Sequence, residues 1–169
     1  MTREIDLSPL RELVGQAVRF ESPWSGKQVS RILVEAGWEP TGAVSMPYAK
    51  RLVRAGFFLG IETEADETVL GVTLRQWSTG PQSDAVVADE YKTAIQECRE
   101  LGARLIAALG RDFEIELGGV ALDSDEYFFI HCDGWNIGNI HLVLGVEHVD
   151  PDDTPVEISL YLLERVADG

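Results

Sequence analysis

The stretch Val156-Glu157-Ile158-Ser159-Leu160-Tyr161-Leu162 has the clearest two-residue alternation in the chain. This period is typical of a β-strand that buries one face and exposes the other. Shorter stretches of strand character precede it at residues 113–117, 127–132 and 140–146. Because one-sided alternation favours antiparallel pairing, the C-terminal part of the chain predicts an antiparallel sheet with one solvent-facing side.

The segment from Asp84 to Leu109 predicts one long helix. Its apolar residues recur at three- and four-residue spacing and form a single stripe: Val87, Tyr91, Ala94, Ile95, Cys98, Leu101, Leu105 and Leu109. Such a stripe is the core-facing side of an amphipathic helix, and Gly110 is a typical helix end. We therefore expect this helix to pack on the apolar face of the sheet.

The N-terminal half predicts two helices followed by a hairpin. The helices are expected at residues 8–19, with Ser8-Pro9 as the N-cap and first helical position, and at residues 25–36. The hairpin strands are expected at residues 52–63 and 69–77, whereas residues 133–139, rich in Asp, Gly and Asn, are interpreted as a turn or short loop.

This order, two helices, two strands, one helix and four strands, predicts the α+β class. We expect an antiparallel sheet of five or six strands, with two N-terminal helices and one long central helix packed on one face. A length of 169 residues predicts a single domain over residues 1–169.

Acidic charge is concentrated in the second half of the chain. The formal net charge is −15; the balance is −1 over residues 1–80 and −14 over residues 81–169. Such a surface repels nucleic acid and anionic membranes because both are negatively charged. It attracts basic proteins. Solubility alone is the competing explanation for the charge.

The compartment is predicted from the cysteines and the N-terminus. Cys98 and Cys132 lack metal or redox spacing and are interpreted as buried thiols in a reducing compartment. No apolar region resembles a signal peptide and none reaches the ~18 residues of a membrane span. We expect a cytoplasmic protein with no membrane partner.

No catalytic pattern stands out, so the chain is predicted to be a non-enzyme without a cofactor or metal. A nucleophile elbow and a P-loop are both lacking. The histidines, His131, His141 and His148, leave a zinc site open as an alternative, although no HExxH motif accompanies them.

Acidic turns with nearby aromatic residues predict a partner-binding surface. The alternative is that these segments are ordinary solvated turns, because Asp side chains also hydrogen-bond to their own backbone in turns. Trp135 is interpreted either as an anchor at a loop tip or as a ring folded back over the sheet. The candidate binding residues are Asp123, Asp125, Glu126, Asp133, Trp135, Asp150, Asp152 and Asp153.

The dipeptide Gly37-Trp38 follows the second predicted helix. After it come a hairpin, one long helix and a run of strands. This small acidic α+β layout resembles the actinobacterial immunity proteins of polymorphic toxin systems. The resemblance implies a protein that binds and neutralises a toxin domain made by the same cell. The composition is also similar to cytoplasmic secretion chaperones, so an adaptor for an effector protein is the alternative function.

Overall fold

A computed structural model describes residues 4–41, 50–64, 67–77, 84–119, 128–148 and 155–165. Its elements are α1 (Ser8–Ala17), α2 (Gly26–Glu35), β1 (Glu39–Pro40), β2 (Lys50–Arg54), β3 (Phe57–Glu64), β4 (Glu67–Gln76), α3 (Asp84–Leu109), β5 (Glu116–Gly118), β6 (Phe129–Ile137), β7 (Ile140–Glu147) and β8 (Glu157–Glu164). All strand pairs are antiparallel, in the order β1-β2-β3-β4-β8-β7-β6-β5. The predicted α+β class is confirmed.

The predicted number of strands is wrong, since the described part of the sheet has eight rather than five or six. One predicted strand, 52–63, divides at Ala55-Gly56, where both residues have positive φ and turn the chain between β2 and β3. The edge strands β1 and β5 have two and three residues, which is too short for any periodic signal.

The loop predicted at residues 133–139 is also wrong. Strand β6 continues to Ile137 and pairs with both β5 and β7. Only Gly138 and Asn139 form the turn into β7, with Gly138 at a φ of 56°. Gly134, which suggested a loop, pairs with Gly118 and Val143 within the ladder. The position requires glycine because an ideal Cβ there would lie 2.8 Å from the Gly119 carbonyl oxygen.

The helices follow the sequence signals closely. The bounds of α3 are those predicted. The first helix differs at its N-cap, which is Leu7; the Asp6 carboxylate instead accepts the Ser8 N–H at 3.0 Å. Ser25 caps α2 by accepting the Gln28 N–H at 3.2 Å.

A Schellman motif ends α2 and buries Trp38. Gly37 has a φ of 104°, its N–H donates to the Val34 carbonyl, and the Trp38 N–H donates to the Leu33 carbonyl. These two bonds turn the chain back so that the Trp38 ring reaches the core, where it is 1% exposed. Gly37-Trp38 therefore has a definite structural role at the helix end.

All three helices pack on one face of the sheet, as predicted. Residues of α1, α2 and α3 share one core cluster with alternating residues of the central strands, for example Leu70, Leu142 and Leu162. The opposite face, called here the helix-free face, has a second cluster of Val69, Val143, Tyr161 and Leu163, to which none of these helices contributes.

The prediction that the second side of the sheet faces solvent is wrong for the central strands. Every residue of β7 is buried, as are six of the eight in β8. Gly145 explains part of this burial, because the Phe129 ring occupies the space in which its side chain would lie, with ring atoms 2.5 and 2.6 Å from an ideal Cβ. The described helices include none that is long and apolar enough to cross a membrane.

Candidate functional site

One end of the sheet collects the ends of four strands: β4 and β7 end there, and β6 and β8 begin there. We call it the acidic end and define it by Gln76, Phe128, Glu147, His148 and Glu157. The His148 N–H donates to the Phe128 carbonyl at 3.3 Å. Residues 120–127 join the described chain at Phe128 and residues 149–154 leave it at His148, so both segments are attached at one hydrogen-bonded position.

Six of the eight predicted binding residues lie outside the described residues. They are Asp123, Asp125, Glu126, Asp150, Asp152 and Asp153. Each of the two segments that carry them has three acidic and no basic residues. The sequence thus attaches six carboxylates to the chain on either side of the Phe128–His148 hydrogen bond.

Glu147 is a buried carboxyl at this end, only 6% exposed. The Tyr161 hydroxyl donates to its Oε2 atom at 2.5 Å. Burial raises the pKa of Glu147, and hydrogen bonds from Tyr161 and Ser159 oppose that rise. The carboxyl is thus costly to ionise in the folded protein.

Glu157 lies directly opposite Glu147 in the β7–β8 ladder. The Gln76 side-chain amide donates to its Oε1 atom at 2.6 Å, and burial raises the pKa of Glu157. The charge of Glu157 also adds to the raised pKa of Glu147. Two carboxyls in adjacent strands, both reluctant to ionise, thus mark the acidic end.

We expect the substitution Glu147→Gln to stabilise the protein at neutral pH. The folded pKa of Glu147 lies above the unfolded one, so its contribution to stability is lost as pH rises from the unfolded pKa through the folded pKa. The variant keeps an acceptor for Tyr161 but has no charge to bury. Its free energy of unfolding in urea should match the wild type at low pH and exceed it at pH 7, whereas the exposed control Glu35→Gln should change neither value. A variant less stable than wild type at pH 7 would contradict this assignment.

Two apolar side chains are exposed next to the carboxyls. Phe128 is 50% exposed and Ile130 is 36% exposed. The β6–β7 register shifts between Phe129 and His131, so Ile130 is the bulged residue and has no partner on β7. Exposed apolar side chains beside polar and acidic residues have the composition of a protein-binding surface.

The long helix is tied to the acidic end through Tyr91. Its hydroxyl hydrogen-bonds to the Nδ1 atom of His148 at 2.6 Å, and the two rings meet edge to face. Since His148 is buried and directly follows β7, this contact holds the end of that strand against α3. The acidic end therefore rests on a rigid helix and a paired strand.

Asp133 lies on β6 and not in a loop. Its side chain is half exposed, and its Oδ2 atom lies 3.1 Å from Nε2 of His131, two residues earlier on the same strand. Asp133 thus remains accessible on β6, the strand that begins at Phe129. The structure leaves its predicted binding role untested.

Trp135 is not at a loop tip. It pairs with Leu142 across β6 and β7, and its ring packs against α3 at Gly102, where an ideal Cβ would lie 3.4 Å from the ring. The ring is half-buried against the main core. Of the two interpretations offered by the sequence, the geometry matches the ring folded over the sheet.

The three histidines have separate partners: Asp133 for His131, Asn136 for His141 and Tyr91 for His148. Burial, followed by the charge of Arg165, lowers the pKa of His141. Within the described ranges, no group of three His, Cys, Asp or Glu side chains is arranged to hold a metal ion.

Both cysteines are free. Burial raises the pKa of the Cys98 thiol to about 12, with a smaller contribution from the charge of Asp133. Burial likewise raises the pKa of Cys132. Thiols with raised pKa values are largely protonated near neutral pH and react poorly as nucleophiles.

Sequence reasoning missed Glu147 and Glu157. Each occupies a polar position beside an apolar strand, which is typical of a solvated strand end. Only the pairing of β7 with β8 brings them together.

No family model, curated protein or solved structure matches this chain.

Proposed function

We propose that this chain is a non-enzymatic binding protein of the immunity type, which inhibits a basic toxin domain by binding it at the acidic end. The observation that carries the proposal is the attachment of both acidic segments at the Phe128–His148 hydrogen bond. Six carboxylates of the sequence thereby lie within five residues, along the chain, of either Phe128 or His148. A basic partner is attracted to such a surface by long-range charge, which accelerates association.

Exposed apolar side chains at the same place support a protein partner over a small cation. Phe128 and Ile130 supply the contact area that a charged surface alone lacks. In protein interfaces, a few such side chains account for most of the affinity and charged groups surround them. The proposed interface therefore combines two apolar anchors with the carboxylates that the sequence attaches at Phe128 and His148.

The chaperone alternative has less support from the described strands. A chaperone of this kind would add an extended client segment to a sheet edge. The described edge strands are β1, which contains Pro40, and β5, which has three residues. Short edges and proline are the features by which sheets prevent such pairing.

The function is tested by capture from a lysate of the source cell on three immobilised proteins. They are the wild type, the double variant Asp125→Lys with Asp133→Lys, and the control Glu35→Lys with Glu67→Lys, which has the same net charge and alters two exposed residues outside the acidic end. We expect wild type and control to retain one dominant basic protein that leaves with salt, and the Asp125/Asp133 variant to lose it.

Two results would contradict the proposal. One is retention of the same protein, eluting at the same salt concentration, by the Asp125/Asp133 variant. The other is a set of partners that withstand salt and leave only with detergent, which is the behaviour expected of chaperone clients.

A further inference from the structure

A cavity of about 330 Å³ opens on the helix-free face between β2 and the end of β4. The described residues that line it are Arg51, Phe58, Thr73, Leu74, Arg75 and Gln76. None of them belongs to the proposed partner surface except Gln76, which borders both. The cavity lies in the half of the chain whose charge is nearly balanced.

Arg51 faces this cavity without a carboxylate partner among the described residues. Its Cζ atom lies 4.7 Å from the centre of the Phe58 ring, and its neighbour on β3 is Gly60, which leaves room for the guanidinium to lean over the ring. Two other arginines nearby are neutralised: Arg54 by Glu12 at 2.7 Å and Arg75 by Glu97 at 2.6 Å. Arg51 therefore retains donors for an incoming anion.

Phe58 gives the cavity an aromatic wall. The ring is 48% exposed, which is unusual for a phenylalanine in a sheet. The guanidinium held beside it is planar and itself stacks on aromatic rings. A ligand with a ring and an acidic group would thus meet an apolar surface and a cation within one cavity.

A β-bulge forms the far wall. The β4–β8 register shifts between Thr73 and Arg75, so Leu74 has no partner on β8. Bulges of this kind redirect side chains and often border binding sites. Two lining residues are already paired with carboxylates, Gln76 with Glu157 and Arg75 with Glu97, at 2.6 Å each.

We infer that this cavity binds a small aromatic carboxylate, with the carboxylate on Arg51 and the ring beside Phe58. Its volume is near the lower limit of ligand pockets, which suits a single-ring acid better than a nucleotide. Arg51 supplies two parallel N–H donors, the geometry that a carboxylate accepts. Only Gln76 is common to this site and the proposed partner surface, and neither Arg51 nor Phe58 belongs to that surface, so either proposal can fail without the other.

The test is titration of the full-length protein with benzoate, followed by NMR shifts of its amide groups. Benzoate should move signals from β2, β3 and the end of β4. Benzamide has the ring without the charge, and acetate has the charge without the ring. Each should therefore bind at least about tenfold more weakly than benzoate. Equal binding of benzamide would contradict the role of Arg51, equal binding of acetate would contradict the role of Phe58, and no shift with benzoate would remove the site.

Two variants separate the cavity from nonspecific binding of anions. Arg51→Gln, which keeps the length of the side chain but not its charge, should weaken benzoate binding by about tenfold or more. Arg31→Gln changes an exposed arginine on α2 and should leave binding unchanged. If the two variants bind benzoate equally, the assignment to Arg51 is wrong.

Discussion

Replacement of Trp38 with alanine is expected to lower the free energy of unfolding by about 3–5 kcal/mol. The ring is 1% exposed and is among the largest fully buried side chains described. It packs in the cluster that joins all three helices to the sheet, so its removal leaves a cavity that the rigid Schellman turn at Gly37 cannot close. Because small proteins have only about 5–15 kcal/mol of stability in total, the loss is a large fraction.

Urea unfolding of Trp38→Ala and Trp38→Phe measures this effect. The phenylalanine variant should lose less than half as much, since it keeps a ring and removes an indole N–H that has no hydrogen-bond partner among the described residues. A loss below about 1 kcal/mol for Trp38→Ala would mean that the core does not depend on this ring.

The double substitution Phe128→Ala with Ile130→Ala is expected to weaken partner binding by about thirtyfold or more, as for the loss of an interface hot spot. Both side chains are exposed, so the fold should be unaffected. The binding constant is measured by calorimetry against the protein captured by the wild type. The matched control is Val34→Ala with Leu117→Ala, which also removes two exposed apolar side chains but away from the acidic end.

The control should bind as the wild type does. If it lost as much affinity as the Phe128/Ile130 variant, the effect would be general and the interface assignment wrong. If neither variant lost affinity, charge alone would account for binding and the apolar anchors would have no part in it.

Local signals predicted the helices well. The stripe of α3 repeats over 26 residues, and Ser25 and Gly37 mark the bounds of α2 by bonds to their own neighbours. These features depend on a few adjacent residues, so they are present in the sequence itself. The Ser8-Pro9 signal predicted Ser8 as the N-cap of α1. In the structure Leu7 is the N-cap, and the Asp6 carboxylate accepts the Ser8 N–H.

The sheet was harder to predict because its contacts are distant in sequence. Residues around Gly134 resemble a loop by composition, yet Gly134 is required where the chain at Gly118 and Gly119 passes close over β6. The Glu147–Glu157 pair likewise depends on strand register, which alternation alone does not specify. The candidate site was therefore predictable as acidic segments but not as a place in the fold.

A charge-driven complex at the acidic end requires that the affinity for the partner depends on salt concentration. The dissociation constant of the wild type and its captured partner is measured by calorimetry between about 0.1 and 1 M salt. Over this range the Debye length falls from roughly 10 Å to 3 Å. We expect a one-to-one complex whose dissociation constant rises steeply over this range. A dissociation constant that is independent of salt would contradict a charge-driven complex.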